Sequence, residues 1–193
     1  MVSRLILTVG SVAFSGLVFG QQVAQPPAIA YKDSYQLDYM DIRGTISFTN
    51  TGLYAAPSAT RTPDICVNAY VFKPIATSPD GVSGVTLDSC CSCRVAPNAV
   101  GTITPVLSGP VVVKLVATLP KPLSPVCDAT LIPSAVGTPG GYAAGMRAWS
   151  VSQPTVLSDQ LSTSLFAKVP LSDSEQTNLA QLCAASATKC VCQ

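Results

Sequence analysis

The chain has 193 residues, eleven of them basic and ten acidic, so it carries no cationic excess for a phosphate backbone or an anionic lipid surface. It has no histidine, which removes Ser-His-Asp and Cys-His catalysis and most catalytic zinc sites. Only 11% of residues are charged, and sixteen prolines and thirteen glycines are spread along the chain. This composition implies one domain of short strands and turns under a neutral, polar surface rather than a helical bundle.

Residues 1–20 read as a secretory signal peptide: Arg4 precedes an apolar run, Leu5 to Gly20, with small residues near its end. The run is short for a membrane span of about 20 residues and is broken by Gly, Ser and Thr. No cysteine follows it, so a lipid anchor is not indicated. Cleavage after Gly20 removes only one charge and leaves a mature chain with ten charges of each sign. The expectation is a secreted protein, extracellular or periplasmic, with no membrane span in the mature chain. Gln21, as a new N-terminus, would be able to cyclise to pyroglutamate.

Residues 21–40 are expected to form an extended N-terminal arm, since the segment begins "QQVAQPPAIA" with adjacent prolines and no charge. Tyr31, Tyr35 and Tyr39 recur at four-residue spacing, and Tyr54 follows. Such rings either present a platform to sugars or partner surfaces or pack the arm onto the body. The packing role is the favoured one, because amphipathic rings are ordinarily half-buried.

Residues 41–171 are expected to form the body. "DIRGTISFTNTG" alternates with period two: Ile42, Gly44, Ile46 and Phe48 on one face, Arg43, Thr45, Ser47 and Thr49 on the other. "ICVNAYVFKP" is apolar on both faces, which predicts a central strand stopped by Pro74. After a Pro79-Asp80-Gly81 turn signal, "VTLDSCC" resumes an extended pattern, so residues 65–93 read as a long hairpin with a bulge placed at Gly84. Further strands are expected near Thr102–Leu107, at Val111–Thr118, around Trp149, and within "STSLFAKVPLS".

Residues 172–193 change character. Ser172 with Glu175 three positions later is a capping box, and Leu179, Leu182 and Cys183 share a face near Gln176 and Ala180. A helix is predicted from about Asp173 to Ser186, followed by a cysteine-rich tail packed on the same domain. The fold class that results is mainly β: an antiparallel β-sandwich, Ig-like or jelly-roll-like, with one C-terminal α-helix and disulfide staples.

Eight cysteines follow the signal: Cys66, Cys90, Cys91, Cys93, Cys127, Cys183, Cys190 and Cys192. An even number in an exported chain predicts four disulfides. In an extended segment Cys91 and Cys93 face one way and Cys90 the other. Symmetry about the Pro79-Asp80 turn pairs Cys66 with Cys93, or with Cys91 if a bulge intervenes. The tail cysteines are odd in number, so at least one must reach Cys127 or the Cys90–Cys93 cluster. The Cys-x-Cys pairs at 91/93 and 190/192 are a rival as soft-metal chelators, but they lack the common structural zinc spacing. No Cys-x-x-Cys redox motif is present.

"CCSCRVAPN", with "ICVNAYVF" upstream and "GMRAW" downstream, resembles a group of uncharacterised exported bacterial proteins with a Cys-Cys-Ser-Cys run. The likeness covers roughly residues 42–193. Arg94 and Ala96 depart from the group's pattern, in which proline and threonine are expected there. The resemblance implies export and carries no activity.

Other chemistry is thin. No phosphate-binding glycine loop and no dense calcium loop occur. Asp38 and Asp41 lie close together in a tyrosine-rich segment, and Asp173 and Glu175 are accounted for by helix capping. The expectation is therefore a secreted or surface-associated, non-enzymatic structural or interaction protein with no cofactor and no metal. Its partner would be a protein or polysaccharide at the cell surface, and self-association is compatible with so weakly charged a surface. The alternative is a module binding carbohydrate or another ligand. A metal-binding cysteine-rich protein, or a hydrolase using an Asp or a Ser–Lys site, ranks below both.

Overall fold

A computed structural model describes residues 32–40, 44–52, 64–75, 84–104, 109–121, 126–134, 140–152 and 161–193. The signal peptide, residues 21–31 of the arm, Asp41, Tyr54 and the Pro79-Asp80 turn lie outside these residues. In chain order the elements are β1 (Ser34–Met40), β2 (Gly44–Asn50), β3 (Ile65–Ile75), β4 (Gly84–Val95) and β5 (Val100–Ile103). They continue with β6 (Val111–Thr118), β7 (Met146–Ser152), β8 (Ser162–Leu165), β9 (Ala167–Lys168) and α1 (Asp173–Ala185).

The strands form two antiparallel sheets, β4-β3-β6-β1-β9 and β5-β2-β7-β8. Alternation drives the layering. Ile46 and Phe48 of β2 face Val67, Ala69 and Val71 of β3 and Val113 and Leu115 of β6 across one core, all of them fully buried. The opposite face of the five-stranded sheet is also covered. Tyr70, Cys90 and Val116 pack there against Leu179 and Cys183 of α1 and Ala129 of the β6–β7 connection. This third layer explains why β3 is apolar on both faces, and β3 is central, as its sequence predicts.

Five details depart from expectation. Residues 34–40, counted with the arm, form β1, which pairs with β6 and, at Tyr35 and Gln36, with β9. Pro74 does not stop β3: β6 pairs only as far as Phe72, so beyond it the β3–β4 ribbon needs bonds on one side only, and Pro74 pairs with Val85. The bulge falls opposite the Val71/Phe72 junction, where Asp88 is the extra residue, not at Gly84. "STSLFAK" is two strands in different sheets, with buried Phe166 at the crossing. Leu182 is exposed, and the buried helix face is Gln176, Leu179, Ala180 and Cys183.

The helix cap is half a capping box. Ser172 Oγ accepts from Glu175 N at 3.1 Å, but the Glu175 carboxylate bonds the buried Lys114 Nζ instead of returning to the cap. That pairing satisfies a cation placed by β6 beneath the helix, which a lone charge in that position would require.

Candidate functional site

Both seams between the sheets are closed. On one side β8 continues through Phe166 into β9, so a single stretch of chain belongs to both sheets. On the other side the two edge strands are β4 and β5, and the C-terminal tail lies across them. Cys90 N donates to Thr188 O at 3.4 Å and Cys190 N to Cys90 O at 3.2 Å, which lays the tail parallel to β4. Thr102 N donates to Gln193 O at 3.0 Å and Gln193 N to Thr102 O at 2.9 Å, which fixes its end antiparallel to β5. Two strand edges that would otherwise present unpaired backbone groups are thereby blunted.

The cysteines reinforce this arrangement. The pairs are Cys66–Cys127, Cys90–Cys183, Cys91–Cys190 and Cys93–Cys192, with Cα separations of 5.1 to 5.8 Å. Cys90 points to the outer face and holds α1, while Cys91 and Cys93 point to the inner face and hold the tail. The split of adjacent cysteines between faces follows from strand geometry, as expected, and all three tail-side cysteines reach the cluster. The Cys66–Cys93 pairing is not formed, nor is the Cys91 alternative. Symmetry about the turn does describe the outer ribbon, where Phe72 faces Leu87, but the extra residue Asp88 shifts the inner register so that Cys66 opposes Arg94. Cys66 and Cys93 thus lie on opposite faces, and Cys66 bonds the loop cysteine Cys127 instead.

The rest of "CCSCRVAPN" is a corner. Arg94 Nε pairs with Asp64 at the start of β3, and Val95 enters the core. Asn98 adopts φ of 60°, a left-handed turn conformation that asparagine tolerates. Buried Asn50 holds this corner: its Nδ2 donates to Val95 O at 3.1 Å, and its main-chain carbonyl accepts from Asn98 N at 2.7 Å. The chain passes here from one sheet to the other.

Beside the Cys90–Cys183 bridge is an open groove of about 220 Å³ lined also by Cys127, Asp128, Thr130 and Lys189. Lys189 Nζ donates to Cys183 O at 2.7 Å and lies 3.4 Å from Cys90 Sγ and 3.6 Å from Cys183 Sγ. Asp128 Oδ1 is taken up by Thr130 of its own loop.

Of the four aromatic candidates, Tyr35 is the one whose side chain is described. Tyr35 is buried and donates to Met146 O at 2.9 Å, with its phenol pushed up by burial. Tyr39 lies in β1, and Tyr31 and Tyr54 fall outside the description. Tyr70 is fully buried, donates to Ala129 O at 3.0 Å, and has its phenol pushed up to about 12 by burial. Tyr142 is buried under Lys32, whose Nζ sits 4.4 Å from the ring centroid. The hydrogen bond that Lys32 Nζ donates to Asp173 raises that lysine above its ordinary value.

Each described carboxylate whose side chain is placed is committed to structure. Asp33 accepts from Gly145 N, Met146 N and Lys168 Nζ, tying the start of β1 to β7 and β9. Asp64, Asp88, Asp173 and Glu175 pair with Arg94, Lys73, Lys32 and Lys114. Among the described residues no helix is long and apolar enough to cross a membrane. The fold and site define a disulfide-stapled antiparallel β-sandwich with its seam sealed by its own C-terminus. No family model, curated protein or solved structure matches the chain.

Proposed function

We propose that this chain is a secreted or surface-associated structural or interaction module without enzymatic activity. One observation carries the reading: the tail, bonded through Cys91–Cys190 and Cys93–Cys192, locks both edge strands at one seam. Cross-links of this density form and persist in oxidising compartments, and a sealed seam suits a weakly charged domain that must stay folded outside the cell. Support for a non-catalytic role comes from the placed carboxylates, each engaged by a lysine, an arginine or backbone N–H groups. The inward-facing Tyr35, Tyr70 and Tyr142 give no support to sugar stacking.

Expression of the full chain from its own leader in a bacterial host, followed by fractionation and intact-mass measurement, tests the proposal. The expected product is extracytoplasmic, begins at Gln21 and has no free thiol. A cytoplasmic product, or an exported one with free thiols, would sink it.

A further inference from the structure

The four bridges differ in access. Cys90 and Cys183 are both buried, Cys66–Cys127 and Cys91–Cys190 each join a buried to a half-buried cysteine, and Cys93–Cys192 alone has an exposed one. A reductant therefore meets Cys93–Cys192 first, and the thiolates it frees lie beside Cys91 Sγ, where exchange opens Cys91–Cys190 next. The sulfurs of these two bridges are crowded: those of Cys91, Cys93 and Cys192 lie within 4.8 Å of one another, and Cys190 is bonded to Cys91. The tail does not depend on sulfur for its position. The backbone bonds at Cys90/Cys190 and Thr102/Gln193 bracket it on both sides.

We propose that selective reduction of Cys91–Cys190 and Cys93–Cys192 converts this edge into a site for one thiophilic d10 cation, copper(I) or zinc(II). A dithiol reductant supplies two electrons and two protons to each bond and closes to its own disulfide. Four thiols result, and the cation displaces their protons as it binds. The donor set is all sulfur, and such a set selects soft cations over calcium or magnesium. A zinc–thiolate bond of about 2.3 Å places sulfurs roughly 3.8 Å apart in a tetrahedron, so each bonded pair must part by roughly 2 Å while the sulfurs of Cys91, Cys93 and Cys192 already lie within 4.8 Å of one another. The exposed tail supplies that movement, while Cys91 and Cys93 stay fixed on β4. The buried Cys90–Cys183 bridge, with Cys66–Cys127, keeps the fold during the change. Cys-x-Cys spacing on both strands, unusual for structural zinc, here becomes two facing two-sulfur bites.

The inference stands apart from export and is tested on purified, fully oxidised protein. Mild dithiol treatment without denaturant, alkylation and peptide mass mapping should label Cys91, Cys93, Cys190 and Cys192 alone, with the circular dichroism spectrum retained. Anaerobic titration with zinc(II) and, separately, with copper(I) against a competing chelator should then show one cation per chain. Cys190→Ser should spare copper(I), which is satisfied by three sulfurs, and weaken zinc(II); Cys190→Ser with Cys192→Ser should abolish zinc(II) and weaken copper(I), which keeps only Cys91 and Cys93. Labelling of all eight cysteines together, loss of the fold on mild reduction, resistance of the tail bridges, or stoichiometric zinc(II) binding retained by the double variant would each overturn the proposal.

Discussion

Removing the Cys66–Cys127 bridge should cost more stability than removing Cys93–Cys192, although the latter joins residues 99 apart and the former only 61. Taken singly, loops of these lengths differ little: the chain-entropy relation gives about 4.3 kcal/mol for the shorter and about 4.7 kcal/mol for the longer. The bridges are not independent, however. With Cys91–Cys190 intact, opening Cys93–Cys192 frees a ring of only about six residues, worth about 2 kcal/mol by the same relation. No other bridge shortens the Cys66–Cys127 loop, because the detour through Cys90–Cys183 is longer than the direct path. Cys66 and Cys93 are equally buried, 3% exposed each, so the packing lost on truncation to alanine largely cancels between the two experiments. Urea unfolding followed by Trp149 fluorescence should give a loss of about 4 kcal/mol for Cys66→Ala/Cys127→Ala and about 2 kcal/mol for Cys93→Ala/Cys192→Ala. Equal losses, or the reverse order, would refute the nested-loop reasoning.

Other consequences are equally direct. The folded chain holds the Tyr70 proton up to about pH 12, while an unfolded phenol releases it near about pH 10. That contribution to stability is full below the lower value and is lost as pH rises through the interval, by at most about 2–3 kcal/mol. Urea midpoints compared at about pH 8 and about pH 11 should therefore fall more steeply for the native chain than for Tyr70→Phe; parallel slopes would contradict the assignment. A Cβ at Gly101 would meet Phe48 Cε2 at 2.5 Å, whereas one at Gly44 would meet the flexible Met40 Sδ at 2.8 Å. Gly101→Ala should thus lower stability by about 1–3 kcal/mol and Gly44→Ala by clearly less, as read from thermal midpoints. Gln176 is fully buried with Oε1 lacking a hydrogen-bond partner, and its Nε2 reaches Tyr70 Oη only at 3.3 Å. Gln176→Leu should leave stability unchanged or raise it by up to about 1 kcal/mol, and a loss above about 2 kcal/mol would show the amide to be needed.

What could be read from the residues was whatever a single strand or helix decides alone. The alternation of Ile46 and Phe48, the two-sided apolar run of β3, the β-branched Val111–Thr118 and the Ser172 cap each carry their own period or signature. What was hidden depends on partners. β1 has a mixed sequence beside a proline-rich stretch, and it is a strand because β6 and β9 flank it. Pro74 looks like a terminator, but β6 has already ended at Phe72. Glu175 looks like the second half of a capping box, and Lys114 takes it from a distant strand.

The cysteine pairing failed for a sharper reason. Side chains in a strand alternate with period two, so one extra residue exchanges the faces of everything beyond it. Turn symmetry locates the ribbon near Phe72 and Leu87 correctly, and then Asp88 reverses which side Cys66 sees relative to Cys93. Adjacency is immune to such slips. Cys90 and Cys91 must face opposite ways in any register, so an adjacent pair on one strand demands a bonding partner on each side of its sheet. Here the outer partner is α1 through Cys183 and the inner partner is the tail through Cys190. An inward-facing cysteine can reach a surface tail only where the core opens, at an edge. The run Cys90-Cys91-Ser92-Cys93 therefore carries the position of its strand within the fold: an edge, covered outside by the helix and closed inside by the end of the chain.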